Sequence, residues 1–153
     1  MFWNLIFIVF LVALGVIDFF TMRLPDALVL PFLGIGFLNT FIHHSPTWSN
    51  NLISALGVGG VFYIISKVRP QGMGYGDAKY LAALGVWLGY PKIVLAIFVA
   101  SLMGSIVGVA MVLARRANLR EQIPFGPYLS FGACIAFFGG DQIFNWLLNL
   151  VLT

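Results

Sequence analysis

Charge is missing from this chain in long blocks. No Asp, Glu, Lys or Arg occurs in residues 2–17, 27–66 or 93–114, and a spanning helix needs about 20 mostly apolar residues. Lipid offers the backbone no hydrogen-bond partner, so blocks of this length must satisfy their own peptide groups as helices or as a closed barrel. Their continuous apolar character, without strict alternation, selects helices. With 61% hydrophobic and 8% charged residues and a mean hydropathy of +1.00, the chain is outside the range of ordinary water-soluble domains. The expected fold class is all-α: a polytopic transmembrane helix bundle of about six spans plus a short C-terminal apolar segment. The 153 residues form one domain, 1–153, with the lipid bilayer as its surroundings.

The polar breaks divide the chain. A first span, about Phe2 to Phe20, ends at Asp18 and the hinge Thr21-Met22-Arg23-Leu24-Pro25. Proline disfavours helix through Leu24 and suits the first turn of a new one. The second span runs from about Asp26 to Ile42, and His43–Asn50 makes a polar turn with Trp48 at interfacial depth. The third covers about Asn51 to Val68. Ala78 to Tyr90 would form a helix of only roughly 20 Å against a hydrocarbon core of about 30 Å, so the preceding loop is expected to be submerged. A fifth span, about Ile93 to Ala114, carries Ser101, Gly104, Ser105 and Gly108 as a small-residue face for close packing. Pro124-Phe125-Gly126-Pro127 opens a sixth to about Gly140, and Ile143 to Leu152 is left as a separate stretch at the interface. Residues 2–17 have no basic residue ahead of them, which fits a retained helix better than a cleaved signal peptide.

Six spans place Arg23, Lys67, Arg69, Lys79, Arg115, Arg116 and Arg120 on one face and only Lys92 on the other. By the positive-inside rule the first face is cytoplasmic and the amino terminus lies outside. Asp18 and Asp77, two crossings apart, return to the same face. The net charge of +3 therefore reads as orientation. Basic residues scattered through short loops, with no patch interleaved with aromatics, exclude a nucleic-acid partner. Cys134 is the only cysteine, which excludes an intrachain disulfide and a cysteine-based zinc site, and no metal or other cofactor is expected. His43 and His44 fall on the far face, no serine stands with a same-side histidine, and no Walker or dinucleotide motif occurs.

An ionisable side chain inside a membrane segment costs about 2.5–3.5 kcal/mol on insertion scales. Asp18 follows an unbroken apolar run, and at a helix carboxyl end its charge opposes the macrodipole. The plain alternative is an interfacial residue paired with Arg23. Asp77 stands in Gln71-Gly72-Met73-Gly74-Tyr75-Gly76-Asp77-Ala78-Lys79. It suits an N-cap ahead of good helical sequence, but a cap does not need Gly72, Gly74 and Gly76. Those glycines suit positive φ or close approach of another backbone, including a substrate strand. Asp26 after Pro25 reads first as a cap, Glu121 as a solvated loop residue, and Asp141 as lying on the wrong face. Asp18 and Asp77, with Asp26 in reserve, are thus the same-side carboxylates at membrane depth. Two such groups held close cannot both ionise easily and would hold a shared proton. One would then take a proton from water attacking a peptide carbonyl while the other donates to the carbonyl oxygen. The alternative from another class is a small transporter or assembly factor using intramembrane aspartates to handle protons or ions.

Three stretches together resemble the type IV prepilin leader peptidases, membrane aspartyl proteases of the G-x-G-D class: Asp18-Phe19-Phe20-Thr21-Met22-Arg23-Leu24-Pro25-Asp26, Gly74-Tyr75-Gly76-Asp77-Ala78-Lys79 and Ile123-Pro124-Phe125-Gly126-Pro127-Tyr128. The resemblance implies Asp18 and Asp77 as the catalytic pair, with Gly74, Gly76, Lys79, Arg23 and Asp26 supporting or near substrate. It also implies a prepilin or pseudopilin substrate, cut after a glycine and before its apolar helix, at the cytoplasmic face of a prokaryotic inner membrane. The compact length and the Pro-Phe-Gly-Pro stretch favour this branch over archaeal preflagellin peptidases and the signal-peptide-peptidase type. Many members carry an amino-terminal extension with paired C-x-x-C motifs and a methyltransferase activity. Here the sequence begins with the first catalytic helix and has only Cys134, the expectation for a short form without methyltransferase activity. Asp26 stands where the family commonly has asparagine.

Overall fold

The computed structural model describes residues 2–43, 48–69, 74–114 and 123–152. They form six helices: α1 (Phe2–Thr21), α2 (Asp26–His43), α3 (Trp48–Val68), α4 (Tyr75–Leu88), α5 (Lys92–Leu113) and α6 (Gly126–Leu152). Helices α1, α3 and α5 are each long and apolar enough to cross a membrane, and α2 contributes a shorter apolar stretch, Asp26–Ile42. The chain is an all-α membrane helix bundle.

The hinge after α1 forms as its sequence requires. Thr21 Oγ1 donates to the Ile17 carbonyl at 2.7 Å. Met22 takes up φ 51°, the left-handed conformation that ends helices, while its N–H still reaches the Asp18 carbonyl at 2.8 Å. The Pro25 carbonyl then accepts the N–H groups of Leu28 and Val29 at 3.0 and 3.2 Å and starts α2.

Helix α4 is the axis of the bundle. It packs chiefly on α3 and α2 and also touches α5 and α6, and from Ala78 on it is buried at Tyr80, Leu81 and every residue from Ala83 to Leu88. Its 14 residues make about 21 Å of helix. Without a hydrophobic drive between helices in lipid, small residues that admit close backbone approach do much of the packing. A Cβ on Gly85 would lie 2.8 Å from the backbone N and Cα of Ala55 in α3. At the α5–α6 seam, Gly132 faces the Ala96 carbonyl. Ala96 and Ala100 of α5 thus approach α6 closely, and the expected small-residue face beyond them packs too, Gly104 and Gly108 facing the side chains of Tyr128 and Ile123. An aromatic cluster fills the centre, with Phe7 stacked on Phe137 at 4.5 Å and Phe32 on Trp87 at 5.4 Å between ring centroids. The Trp87 indole N–H donates to the Phe32 carbonyl at 2.9 Å.

Three element boundaries differ from the sequence reading. Helix α4 starts at Tyr75, three residues before the expected Ala78, so Asp77 stands in its first turn and not in a preceding loop. Helix α3 starts at Trp48, three residues before the expected Asn51. Residues 143–152 are not a separate interfacial stretch: α6 runs unbroken for 27 residues. Gly139-Gly140 stays helical because neither glycine adopts positive φ and because α5 braces this turn. Lys92 Nζ donates to Asp141 Oδ2 at 2.7 Å, and a Cβ on Gly140 would meet the Lys92 stem at 3.1 Å.

Candidate active site

Asp18 is the buried carboxylate, 4% exposed near the carboxyl end of α1. The unfavourable dipole of its own helix is answered by another helix. The backbone N–H of Gly126, first residue of α6, donates to Asp18 Oδ2 at 2.7 Å, so the carboxylate sits where helix amino termini favour anions. The fit is tight: a Cβ on Gly126 would lie 2.6 Å from Asp18 Oδ2 and 2.8 Å from its Cβ and Cγ. The sequence reading took Pro124-Phe125-Gly126-Pro127 as a helix opening and missed Gly126 as the group that holds Asp18. The available signal was a glycine between two prolines, which leaves a bare helix start with unpaired N–H groups. Arg23, the alternative partner for Asp18, is exposed, and its backbone N–H bonds Thr21 Oγ1 at 3.3 Å.

Asp77 is not the N-cap of α4. Gly74 holds that position in an extended conformation, φ −72° and ψ 148°, and Asp77 follows three residues later in the first turn. Its backbone N–H donates to the Gly74 carbonyl at 3.2 Å, the ordinary backbone bond of a helix start. Neither Gly74 nor Gly76 has positive φ. Gly76 serves close approach, but to this chain's own hinge: a Cβ there would be 3.0 Å from Leu24 Cβ and 3.4 Å from its backbone N and O. Gly72, Arg115, Arg116, Arg120, Glu121 and His44 lie outside the described residues.

The start of α4 lies against the hinge that follows α1, through Gly76 and Leu24, which puts both carboxylates at one end of the bundle. Their surroundings differ, since Asp18 is buried and Asp77 is half-buried. Asp26 is not a cap either; it is the first residue of α2, and both its oxygens accept from Lys79 Nζ, at 2.8 and 2.7 Å. The pair ties the start of α2 to the first turn of α4, and it keeps Lys79 on Asp26. Its side chains are 45% and 54% exposed, so it contributes about 0–1 kcal/mol. Asp26→Asn is expected to cost less than about 1 kcal/mol in chemical unfolding, leaving the Asp18–Gly126 contact in place. Asp141 and its partner Lys92 join α5 to α6 away from this site, as expected for the opposite face. Among the described residues no three His, Cys, Asp or Glu side chains gather as a metal site.

Beside Asp18 an apolar groove of about 410 Å³ follows α1 and α6, lined by Leu11, Gly15, Phe19, Pro127, Ser130 and Phe131 among others. The arrangement as a whole presents one carboxylate held in a dry pocket by a peptide N–H and a second at a helix start, half open. Such a pair has the parts for general acid–base chemistry on a polar bond brought to the end of the bundle.

The chain is 37% identical over 147 residues to the prepilin leader peptidase/N-methyltransferase of Aeromonas salmonicida, covering 93% of this chain and 50% of that protein. It is 41% identical over 138 residues to the Pseudomonas aeruginosa protein of the same name, covering 87% and 48%. The Xanthomonas campestris protein of that name is 32% identical over 145 residues, covering 92% and 50%. The chain thus spans about half the length of the curated relatives it matches. No solved structure matches it. The profile of the type IV leader peptidase family matches residues 5–109, a stretch that holds both Asp18 and Asp77, and the chain belongs to that family.

Proposed function

We propose that the chain is an intramembrane aspartyl endopeptidase that removes the leader of type IV prepilins or pseudopilins, with Asp18 and Asp77 as its catalytic pair. The observation that carries this reading is that Asp18, held by the Gly126 N–H, and Asp77 lie at the same end of the bundle, where the first turn of α4 packs through Gly76 on Leu24 of the hinge after α1. One carboxylate takes a proton from water as its oxygen adds to the scissile carbonyl; the other gives its proton to the carbonyl oxygen. Collapse of the tetrahedral species breaks the C–N bond, and a proton passes to the leaving amine. Gly74, exposed beside Asp77, lies near the substrate backbone, and Gly76 keeps the first turn of α4 against the hinge. The Lys79–Asp26 pair and Arg23 support that edge.

The working end faces the cytoplasm of a prokaryotic cell, across its inner membrane. Support comes from the basic residues: Arg23 follows α1, Lys67 and Arg69 end α3, and Lys79 opens α4, whereas Lys92 is at the opposite end, paired with Asp141. Reconstitution with a full-length prepilin in proteoliposomes tests the reading. The expected result is release of the leader, with a new amino terminus immediately after a glycine and before the apolar segment. Proton or ion flux through the liposomes without any cleavage would replace it with the transporter reading.

A further inference from the structure

A second polar contact lies one helical turn deeper than the carboxylates, among residues that the acid–base chemistry does not use. Tyr80 follows Asp77 by three residues on α4, Ser130 follows Gly126 by four on α6, and Asp18 follows Gly15 by three on α1. Those spacings put each pair on one face of its helix. The helices therefore meet at two levels: Gly126 of α6 holds Asp18 of α1, and one turn deeper Ser130 of α6 bonds Tyr80 of α4 and packs on Gly15 of α1. In the second layer Tyr80 Oη and Ser130 Oγ are 2.8 Å apart, with Tyr80 fully buried and Ser130 9% exposed. Gly15 leaves room for the contact, since a Cβ there would lie 3.0 Å from Ser130 Oγ. The Tyr80 ring is backed by Phe32, 6.1 Å away between centroids.

A dry phenol needs a hydrogen-bond partner, but a phenylalanine of the same shape would need none. Its position explains more. The Asp18 carboxylate is held by α6, through Gly126, whereas Asp77 belongs to α4. Helices α4 and α6 make few direct contacts compared with the α3–α4 and α5–α6 seams. Any sliding of α4 against α6 would change the separation of the two carboxylates. We infer that Tyr80 and Ser130 are positioning residues, whose hydrogen bond locks α4 to α6 and thereby sets Asp77 against the Asp18–Gly126 contact.

The test uses the reconstituted full chain with carboxyl-carbon-labelled aspartate, which gives four signals, from Asp18, Asp26, Asp77 and Asp141. In Tyr80→Phe and in Ser130→Ala, the Asp18 and Asp77 signals are expected to move while those of Asp26 and Asp141 stay. If Asp18 and Asp77 keep their signals in both variants, the inference is overturned, whether or not the chain cleaves anything. A kinetic arm rests on the peptidase reading: each variant should lower kcat about tenfold, the size of one buried hydrogen bond expressed as rate, with KM unchanged. The double variant Tyr80→Phe/Ser130→Ala leaves no hydroxyl unpaired, so its unfolding midpoint should recover while kcat stays low. Recovery of both together would reduce the pair to a packing role. Failure of the unaltered chain to cleave would overturn the peptidase reading, and the carboxyl signals would still decide this one.

Discussion

Asp77→Asn and Asp18→Asn are each expected to lower leader removal by about 10²–10⁴-fold, the range for loss of a positioned general acid or base. Asparagine keeps the shape and an oxygen acceptor. At position 18 that oxygen still receives the Gly126 N–H. What each variant loses is the exchangeable proton and the charge. Chemical unfolding separates this from misfolding: Asp77→Asn, half-buried, should unfold near the unaltered chain. Asp18→Asn puts two amide donors into a dry pocket, and a buried donor without a partner costs about 1–3 kcal/mol. Asp26→Asn should keep processing, because Asp26 is engaged with Lys79. Processing by both Asp18→Asn and Asp77→Asn would end the two-carboxylate mechanism. If Asp26→Asn and Asp77→Asn were inactive while Asp18→Asn cleaved, the partner of Asp77 would be Asp26.

The bundle was legible because membrane helices follow from uncharged length alone. Residues 2–17 and 93–114 contain no charge, and they became α1 and α5 with boundaries close to the expected ones. The errors fall where a tertiary contact decided a boundary that local residues left open. Gly139-Gly140 before Asp141 has the appearance of a helix stop, but Lys92 packs on Gly140 and pairs with Asp141, so α6 continues. The small residues of α5 were recognised as packing residues, yet their spacing does not tell which turn meets α6. That register is set by Gly132 opposite Ala96, a pair distant in sequence.

For the site, cost was the legible signal. Asp18 within an apolar run and Asp77 behind closely spaced glycines each demanded a reason, and topology put them at one end. How Asp18 is held was not legible, since the holding group is a backbone amide. Gly126 leaves no side-chain signature of donating to Asp18. The glycines were read as a loop open to a substrate strand, whereas Gly76 is helical and lies against Leu24. Tyr80 and Ser130 each match an ordinary core residue on an apolar helix face, and only the fold brings their hydroxyls together.

Gly126→Ala separates the requirements of the helix from those of the site. By helix propensity alone the change should help, because alanine is favoured over glycine by about 1 kcal/mol in a helix interior. Gly139→Ala in the same helix shows that case: its new Cβ would meet nothing closer than Ile143 Cδ1 at 3.7 Å, and it should be neutral or mildly stabilising. At Gly126 the added carbon falls within 2.8 Å of three Asp18 atoms, closer than carbon and oxygen can stand. Asp18 is buried in α1, so either the carboxylate turns off the Gly126 N–H or the start of α6 backs away. Overpacking of this kind costs about 1–3 kcal/mol, which outweighs the propensity gain. A displacement of about 1 Å at a reacting group costs on the order of 10²-fold in rate, so leader removal should fall by about that factor. Chemical unfolding and initial rates on the two glycine variants read both effects. A fully active Gly126→Ala would mean that the Asp18–Gly126 contact is not part of the working site, and Asp18 would then have to act from a different position.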